Sequence, residues 1–402
     1  MNRWPLRPLN ELLARLESGS RPKGGVSGIT KGVPSIGGEH LNKEGGFDFD
    51  GIKFVPEEFF QQMGRGLIQG QDILVVKDGA TTGKTAFVED EFPYKRAAIN
   101  EHVFLLRVNQ RLALPRFVFF FLFSPWGQSQ ILTCFRGAAI GGIPQDFVRT
   151  VEVPVPPLSE QERVVRILDE ADAMRRLRAE SQERTEHLST ALFHQMFGQS
   201  SKFETKRLAD LLDSVDSGWS PICRDEPATG EEWGVLKLGA VTTGHYLEGE
   251  NKGLPAELSA RPKIEVNAGD VLFTRKNTKE LVAATAYVWE TRRKLMLSDL
   301  IFRLKPRNEE ELDPVYLAFC LKDPRKRQEI QGLASGAAGS MPNISKQRLL
   351  SVKIPVPSAP LQGLFAARIA EIHEMENAQA ASRKRLDSLF QSLLHRAFQG
   401  EL

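Results

Sequence analysis

Two stretches of the chain have the hydrophobic and polar pattern of long helices. Residues 159–197 and 360–398 are rich in Ala, Glu, Gln, Arg and Leu, and neither has a proline beyond its first position. Apolar or small residues recur there at near-heptad spacing, at Val164, Leu168, Ala171, Met174, Leu188 and Leu192, then at Phe365, Ile369, Ile372, Leu386, Leu389 and Leu393. Because such a repeat favours a coiled coil, the pattern predicts two long helices that pair with each other. Two unrelated exposed helices are the alternative.

Shorter apolar runs occupy the remainder of the chain and predict strands. Residues 73–76 and 271–273 directly follow Gly-Gln-Asp and Ala-Gly-Asp turns. Residues 103–108 and 300–304 have the same character. Each run is short and bounded by turn residues, which is typical of strands in a mixed α/β globule.

Helices are predicted at matching places in the two halves of the chain. Leucines on one face predict a short amphipathic helix over residues 9–16 and another over 208–215, each stopped by Ser-Gly. Prolines at the first turn predict further helices over residues 115–123 and 314–321.

The chain therefore contains an internal repeat of a whole domain with its long helix. The segment 9–22 returns at 208–221, and Pro154-Val155-Pro156 returns as Pro355-Val356-Pro357. The predicted fold class is mixed α/β (α+β) globular domains plus two long α-helices that pair as a coiled coil, in an internal repeat. The predicted boundaries are a domain over 1–157, a helix over 158–198, a domain over 199–358 and a helix over 359–402.

Composition narrows the class of protein. A chain of 402 residues with 41% hydrophobic and 26% charged residues is globular and favours two domains. With a net charge of +2 the chain as a whole is not strongly basic, so a basic surface could only be local. The N-terminus lacks a signal-peptide pattern, and the apolar run 117–123 is too short to span a bilayer. We expect a soluble cytoplasmic protein without a membrane partner.

One segment is similar to a phosphate-binding loop. It begins at Gly79 and ends at Thr85, but three residues separate its glycines where the Walker pattern has four. Asp78 stands where the pattern requires glycine, and the second repeat has no Gly-Lys-Thr. An ATPase that uses this loop is therefore the less favoured alternative, and a polar loop that meets DNA is preferred.

No catalytic or metal-binding pattern emerges. The seven histidines are scattered without HExxH, and the three cysteines form no metal-ligand spacing. There is no GxSxG elbow and no GxGxxG before a helix. The sequence predicts no catalytic residue, no metal and no cofactor on this chain, and therefore a non-enzymatic role.

Basic residues on loops are the candidate DNA contacts. Lys and Arg there neutralise phosphates and read guanine edges, although solvated surface charge is the alternative for each residue. The candidates, together with one loop hydroxyl, are Lys77, Thr82, Lys84, Arg275, Lys276, Lys279, Arg292 and Arg293.

The segments that close the two domains carry a resemblance. Residues 153–163, VPVPPLSEQER, fit a strand exit of the form P-hydrophobic-P-P-L-x-E-Q that leads into a long helix. Residues 354–357 and Gln362 keep part of it without the Glu. With the GQDIL run at 70–74 and DGATTGK at 78–84, the chain resembles the specificity (S) subunit of type I restriction-modification enzymes.

The resemblance implies that each repeat is a target recognition domain for one half of a bipartite, asymmetric double-stranded DNA site. It also implies that the two long helices separate and join the domains as an antiparallel coiled coil with a pseudo-twofold repeat. They would dock two modification (methyltransferase) subunits, which restriction subunits join. S-adenosylmethionine, ATP and Mg²⁺ would belong to those partners. The implied docking and spacer residues are Glu160, Gln161, Leu168, Met174, Leu192, Gln362, Ile369, Ile372, Leu389 and Leu393. A simpler two-component system and an architectural adaptor that binds protein are the remaining alternatives.

Overall fold

The computed structural model describes residues 4–137, 141–335 and 341–402, except for the side chains of Glu186 and Ser200. Their backbone forms two α/β globules and two long helices, which confirms the predicted fold class. None of the helices in these ranges combines the length and the hydrophobicity that a membrane span requires.

The first globule begins and ends with strands. Its elements are β1 (Leu6–Pro8), α1 (Leu9–Leu12), β2 (Leu13–Ser18), β3 (Val33–Ile36), β4 (Lys53–Val55), α2 (Glu57–Gln62), β5 (Ile73–Val76), β6 (Thr85–Phe87), β7 (Ala98–Ile99), β8 (Val103–Val108), α3 (Pro115–Phe123), α4 (Pro125–Thr133), α5 (Phe147–Thr150) and β9 (Glu152–Pro154). The first long helix, α6 (Leu158–Phe197), follows. We call the part from β1 to β9 globule 1.

Globule 2 repeats the order of the strands and differs in which of its short helical turns are α-helices. Its elements are β10 (Glu204–Arg207), α7 (Leu208–Leu211), β11 (Leu212–Ser217), β12 (Gly234–Leu236), α8 (Gly239–Thr242), β13 (Asn251–Gly253), β14 (Val271–Thr274), β15 (Thr285–Tyr287), β16 (Leu295–Met296), β17 (Ile301–Pro306), α9 (Pro314–Lys322), α10 (Pro324–Gln331), α11 (Lys346–Leu350) and β18 (Lys353–Val356). The second long helix is α12 (Ala359–Gln399). Helix α8 precedes β13, whereas α2 follows β4.

The chain divides into two compact units. One contains Met1–Ser181 and Gln379–Leu402, and the other contains Gln182–Ala378. Each unit therefore combines one globule with a part of each long helix. We refer to them as unit 1 and unit 2.

The sheets have the same topology in both globules. Globule 1 has an antiparallel sheet in the order β2-β8-β5-β6, and globule 2 has β11-β17-β14-β15. A smaller sheet has the order β4-β3-β7 or β13-β12-β16, and the end strands pair as β1-β9 or β10-β18. The last pairing brings the two ends of each globule together, next to the start of a long helix.

Both faces of the central strand β5 are buried, which explains its continuous apolar run. Ile73 and Val75 pack in the cluster that contains the phenylalanines of α3. Leu74 and Val76 face the second cluster, which includes Ile36. In globule 2, strand β14 divides its side chains between two clusters in the same way.

The long helices run antiparallel within each unit. In unit 1, the guanidinium of Arg163 near the start of α6 donates to the carbonyl of Leu402, and Arg175 Nε lies 2.8 Å from Asp387 Oδ1. In unit 2, Phe197 at the end of α6 packs edge-on against Phe365 near the start of α12. The predicted pairing of two long helices is confirmed.

The predicted heptad seam is partly wrong. Met174, Leu188 and Leu389 are about half exposed, at 56%, 48% and 51%, whereas Phe390 and Leu394 are fully buried. The reason is that the C-terminal part of α12 packs against the α3 phenylalanines as well as against α6, so the buried stripe is displaced by one residue from the heptad.

The helices predicted over 9–16 and 208–215 are each only half correct. Helix α1 ends at Leu12, and the next residues form strand β2, which pairs with β8 from Leu13 onward. The leucine spacing is compatible with a helix and with a strand, and the pairing of these residues with β8 favours the strand. The glycine after the strand is required by space, because a Cβ at Gly19 would lie 2.0 Å from the carbonyl oxygen of Ile99.

A buried glutamine clamps the start of each long helix to its globule. Gln161 Oε1 accepts from the N–H of Leu114, and its Nε2 donates to the carbonyl of Pro156, at 2.8 and 2.9 Å. Gln362 makes the equivalent bonds to Asp313 and Pro357 at 2.9 and 2.8 Å. Both side chains are almost fully buried, so their hydrogen bonds fix where each helix leaves the globule.

We predict that Gln161→Ala destabilises unit 1 by about 2–4 kcal/mol, because the N–H of Leu114 and the carbonyl of Pro156 lose their partner. Denaturant unfolding followed by circular dichroism measures the change. Glu162→Ala, at an exposed neighbouring position, is the control and should stay within about 0.5 kcal/mol of wild type. Equal stability of the two variants would contradict the clamp.

Candidate nucleic-acid interface

Three segments of globule 1 meet where strand β5 ends. The N–H of Lys77 donates to the carbonyl of His102 at 2.9 Å, and the N–H of Ile143 donates to the carbonyl of Lys77 at 2.7 Å. Arg136 and Gly142 exchange two further backbone hydrogen bonds. We call these meeting segments the first loop frame, which consists of residues 77–84, 100–102, 136–137 and 141–143.

Globule 2 has the same backbone arrangement. The N–H of Arg275 donates to the carbonyl of Leu300 at 3.0 Å, and the N–H of Ile344 donates to the carbonyl of Arg275 at 2.8 Å. Ser335 and Asn343 exchange two backbone hydrogen bonds, as Arg136 and Gly142 do in globule 1. We call these segments the second loop frame, which consists of residues 275–279, 298–300, 335 and 341–344.

Equivalent positions of the two frames carry different side chains. In the first frame Lys77 is followed by Asp78, and in the second Arg275 is followed by Lys276. His102 in globule 1 corresponds to an apolar leucine in globule 2. The two frames therefore offer different chemistry on one backbone arrangement.

The loop that precedes each frame in the chain also contacts the frame, through different side chains in the two globules. Arg21 forms an ion pair with Glu101 at 2.8 Å in globule 1. At the corresponding place in globule 2, the hydroxyl of Ser220 is hydrogen-bonded to the carboxylate of Asp299. A charged contact in one globule is replaced by a neutral donor in the other.

Lys77 stands at the end of β5 within a cluster of charges. Its Nζ lies 3.9 Å from Asp78 and above the ring of Phe104, and the imidazole of His102 is hydrogen-bonded to Asp78. About half of the His102 side chain is exposed. These side chains offer both a cation and a hydrogen-bonding ring to a ligand at this end of the globule.

Arg275 is held rigidly in the second frame. Its guanidinium stacks on Phe302 with 4.8 Å to the ring centroid, and its Nε donates to Asn343 Oδ1 at 3.1 Å. Lys276 is half-buried and Lys279 is exposed on the same loop. The predicted basic residues 275–279 are thus brought together.

Lys84 and Thr82 form hydrogen bonds to backbone carbonyls within globule 1. Lys84 Nζ donates to the carbonyl of Leu41 at 2.8 Å, and the Thr82 hydroxyl donates to the carbonyl of Gly79 at 2.7 Å. The segment enters strand β6, whereas a phosphate-binding loop opens a helix. This geometry contradicts the ATPase alternative.

Arg292 and Arg293 are not part of the second loop frame, and their side chains differ in exposure. The guanidinium of Arg292 donates to the carbonyls of Ala228, Gly230 and Glu232, so it holds one turn of the loop after β11. Arg293 is exposed. Only Arg293 of this pair presents its charge to solvent.

Sequence reasoning missed a basic loop in globule 1. Residues 19–32 contain Arg21, Lys23 and Lys31, all exposed, and no acidic residue. Four of its glycines have positive φ, which suits a loop that approaches a ligand closely. The absence of acidic residues from this segment could have identified the basic loop from the sequence alone.

The predicted helix residues divide by exposure. Gln161, Leu168, Gln362 and Ile369 are buried, whereas Glu160, Leu192, Ile372 and Leu393 are half-buried. Met174 and Leu389 are exposed, and their counterparts in the other repeat, Met375 and Leu188, are 44% and 48% exposed. Each unit thus presents one Met and one Leu, from different helices.

The described residues contain no group of three or more His, Cys, Asp or Glu side chains that could hold a metal ion. The three cysteines are free thiols. Burial raises the pKa of the Cys320 thiol to about 12 and also raises the pKa of Cys223. Neither thiol is poised as a nucleophile at neutral pH.

Comparison with known proteins finds specificity subunits of type I restriction enzymes. The "Type I restriction enzyme EcoEI specificity subunit" of Escherichia coli is 36% identical over 196 residues, which are 48% of this chain and 32% of that relative. The "Type I restriction enzyme EcoKI specificity subunit" of Escherichia coli (strain K12) is 22% identical over 391 residues, or 90% of this chain and 80% of the relative.

Solved structures share the fold. The crystal structure of the S subunit of a type I restriction-modification system from M. genitalium matches with a TM-score of 0.58 at 14% identity, over 99% of this chain and 96% of that chain. A chain from a structural study of complex assembly in the type I R-M system matches with a TM-score of 0.55 at 18% identity, over 99% and 98%.

The family model described as "Type I restriction modification DNA specificity domain" matches the chain twice, over residues 20–186 and 200–379. These two matches cover most of the chain and follow the internal repeat. The chain therefore belongs to the family of type I restriction-modification DNA specificity domains.

Proposed function

We propose that this chain is the DNA-reading specificity subunit of a type I restriction-modification complex, in which each globule reads one half of a bipartite, asymmetric site. The observation that carries this proposal is that the two loop frames share their backbone hydrogen bonds and differ in their side chains. A repeated frame with Lys77 and Asp78 in one copy, and Arg275 and Lys276 in the other, suits two half-sites of different sequence.

Local charge supports DNA as the ligand. The loop over 19–32 carries three exposed cations, and Lys279 and Arg293 are exposed in globule 2. Because the whole chain has a net charge of only +2, these clusters are local features. Phosphate contacts from such loops would position each globule on the duplex, and the frames would read base edges.

We assign the chemistry to partner chains. The subunit itself would be non-catalytic and free of cofactors, and the modification subunits would bring S-adenosylmethionine. Restriction subunits would bring ATP and Mg²⁺, and the complex would act in the cytoplasm. The matched relatives, which are specificity subunits by name, support this division.

Two equivalent surfaces on the long helices suit two copies of the modification subunit. Unit 1 exposes Met174 and Leu389, and unit 2 exposes Met375 and Leu188 at the corresponding positions of the repeat. Burial of exposed Met and Leu side chains against a partner stabilises the complex, because apolar surface is removed from water. Because both pairs recur in the repeat, the same partner surface would fit both units.

Mapping of modified adenines tests the function directly. We predict that cells with this gene carry a bipartite motif with two different halves, and that the modification disappears when the gene is deleted. Sequencing that detects methylated adenine across the genome measures both. An unchanged set of modified sites after deletion would contradict the proposal.

The basic loop should contribute phosphate contacts. We predict that Lys23→Ala with Lys31→Ala weakens DNA binding by the assembled complex and reduces the slope of log affinity against log salt by about 2. Fluorescence anisotropy at several salt concentrations measures this slope. Arg166→Ala, at an exposed position of α6, is the control and should leave the slope unchanged. Equal slopes in all three proteins would exclude the loop from the interface.

The helix surfaces should each hold one modification subunit. We predict that Met174→Glu with Leu389→Glu weakens docking at unit 1 by about tenfold or more, because charges replace apolar contacts. Native mass spectrometry should then show one bound modification subunit where wild type binds two. Gln391→Glu adds an exposed charge on α12 as the control. Two subunits retained by the double variant would refute this docking surface.

A further inference from the structure

Globule 2 presents one apolar side chain almost completely to solvent. Ile222 is 92% exposed, more than any other large apolar side chain in the described ranges. It lies in the loop between β11 and β12, directly after Pro221. At the corresponding place in globule 1, Lys23 follows Pro22. The two globules therefore offer different chemistry at the same loop position.

The loop around Ile222 is anchored on both sides. The N–H of Trp219 donates to the carbonyl of Leu297 at 2.9 Å, and Arg261 stacks on the Trp219 ring at 3.9 Å. After Ile222, the N–H of Arg224 donates to the carbonyl of Gly253 at 3.0 Å. A side chain held on such a base loses little conformational entropy when it meets a ligand.

A cleft of about 260 Å³ opens beside this loop. Its lining includes Pro221, Cys223, Leu236 and Leu300 together with Lys237 and Lys252, and more of its surface is apolar than polar. The carbonyl of Leu300 accepts the hydrogen bond of Arg275, which places the cleft next to the second loop frame. The cleft therefore adjoins the surface that we propose reads DNA.

One polar group in the cleft lining has no partner among the described residues. Ser298 lines the cleft and is only 4% exposed, and its hydroxyl forms no hydrogen bond there. A buried hydroxyl without a hydrogen-bond partner destabilises the folded protein. A ligand atom that accepts its hydrogen bond would therefore bind more tightly.

We propose that this cleft reads the methyl-bearing edge of a thymine in the half-site bound by globule 2, an inference that rests on the proposed function. In the major groove thymine presents a C5-methyl group beside the acceptor O4. Ile222, whose chain neighbours Pro221 and Cys223 line the cleft, contacts the methyl group together with the apolar walls. The Ser298 hydroxyl donates to O4. Ile222 is thus a specificity-determining residue, whereas Lys23 at the corresponding loop position suits a phosphate.

Binding to duplexes that lack single methyl groups tests the proposal. The assembled complex is titrated with its mapped motif, in which uracil replaces each thymine in turn. Wild type should lose about fourfold in affinity at one position, since burial of one methyl group is worth about that factor. Ile222→Ser should abolish this difference, and Ile222→Val should retain most of it. Ser298→Ala should weaken binding to the thymine and uracil duplexes alike.

Leu247→Ser, at another exposed position of unit 2, is the matched control and should keep the thymine preference. The inference is overturned if no thymine responds to loss of its methyl group, or if Ile222→Ser keeps the preference, or if Ser298→Ala binds as wild type does. In each of these cases site-specific binding persists and the proposed function stands. Absence of site-specific binding by the wild-type complex would instead count against the proposed function itself.

Discussion

A buried glutamine at the start of each long helix forms a directional, hydrogen-bonded junction with the globule, and the course of the helix depends on that junction. Hydrophobic packing of α6 and α12 against the phenylalanines of α3 is strong but non-directional. The amide of Gln161 adds direction, because it accepts from the residue before α3 and donates to the strand exit at Pro156. Gln362 does the same before α9. The helix therefore leaves the globule at one defined angle, and the core packs around it.

The loop frames take no part in the hydrogen bonds of the helix junction, and their side chains differ between the two globules. The loop frames are held by backbone hydrogen bonds, such as those from Lys77 to His102 and from Arg275 to Leu300, and these bonds do not depend on side-chain identity. The same backbone arrangement can therefore carry different side chains, as it does at Lys77 and Arg275. This separation of scaffold from reading surface is what a protein needs if its two halves are to recognise different sequences.

Sequence patterns predicted the elements that local composition and burial determine together. Residues 73–76 are apolar without interruption because both faces of β5 are buried, and the strand was confirmed. Residues 9–16 were half wrong because leucine spacing cannot tell whether the backbone bonds locally or to a distant strand. Leu389 was misplaced for a similar reason, since α12 faces two neighbours. At the site, the loop position of Lys84 was predictable, but its bond to Leu41, forty-three positions away, was not.

The difference between the two loops after β2 and β11 has a consequence for how the globules divide their work. Contacts to phosphates contribute affinity and position without sequence information, whereas contacts to base edges discriminate among sequences. The loop with Lys23 and Lys31 is basic, and the loop with Ile222 also carries four acidic residues, Asp225, Glu226, Glu231 and Glu232. Three of these carboxylates form ion pairs with Lys252, Lys294 and Arg224, so under the proposed function this loop would add fewer phosphate contacts than the loop over 19–32. Under the proposed function globule 1 would therefore supply the larger salt-dependent share of binding, and globule 2 would depend more on contacts to base edges, such as the one proposed for Ile222.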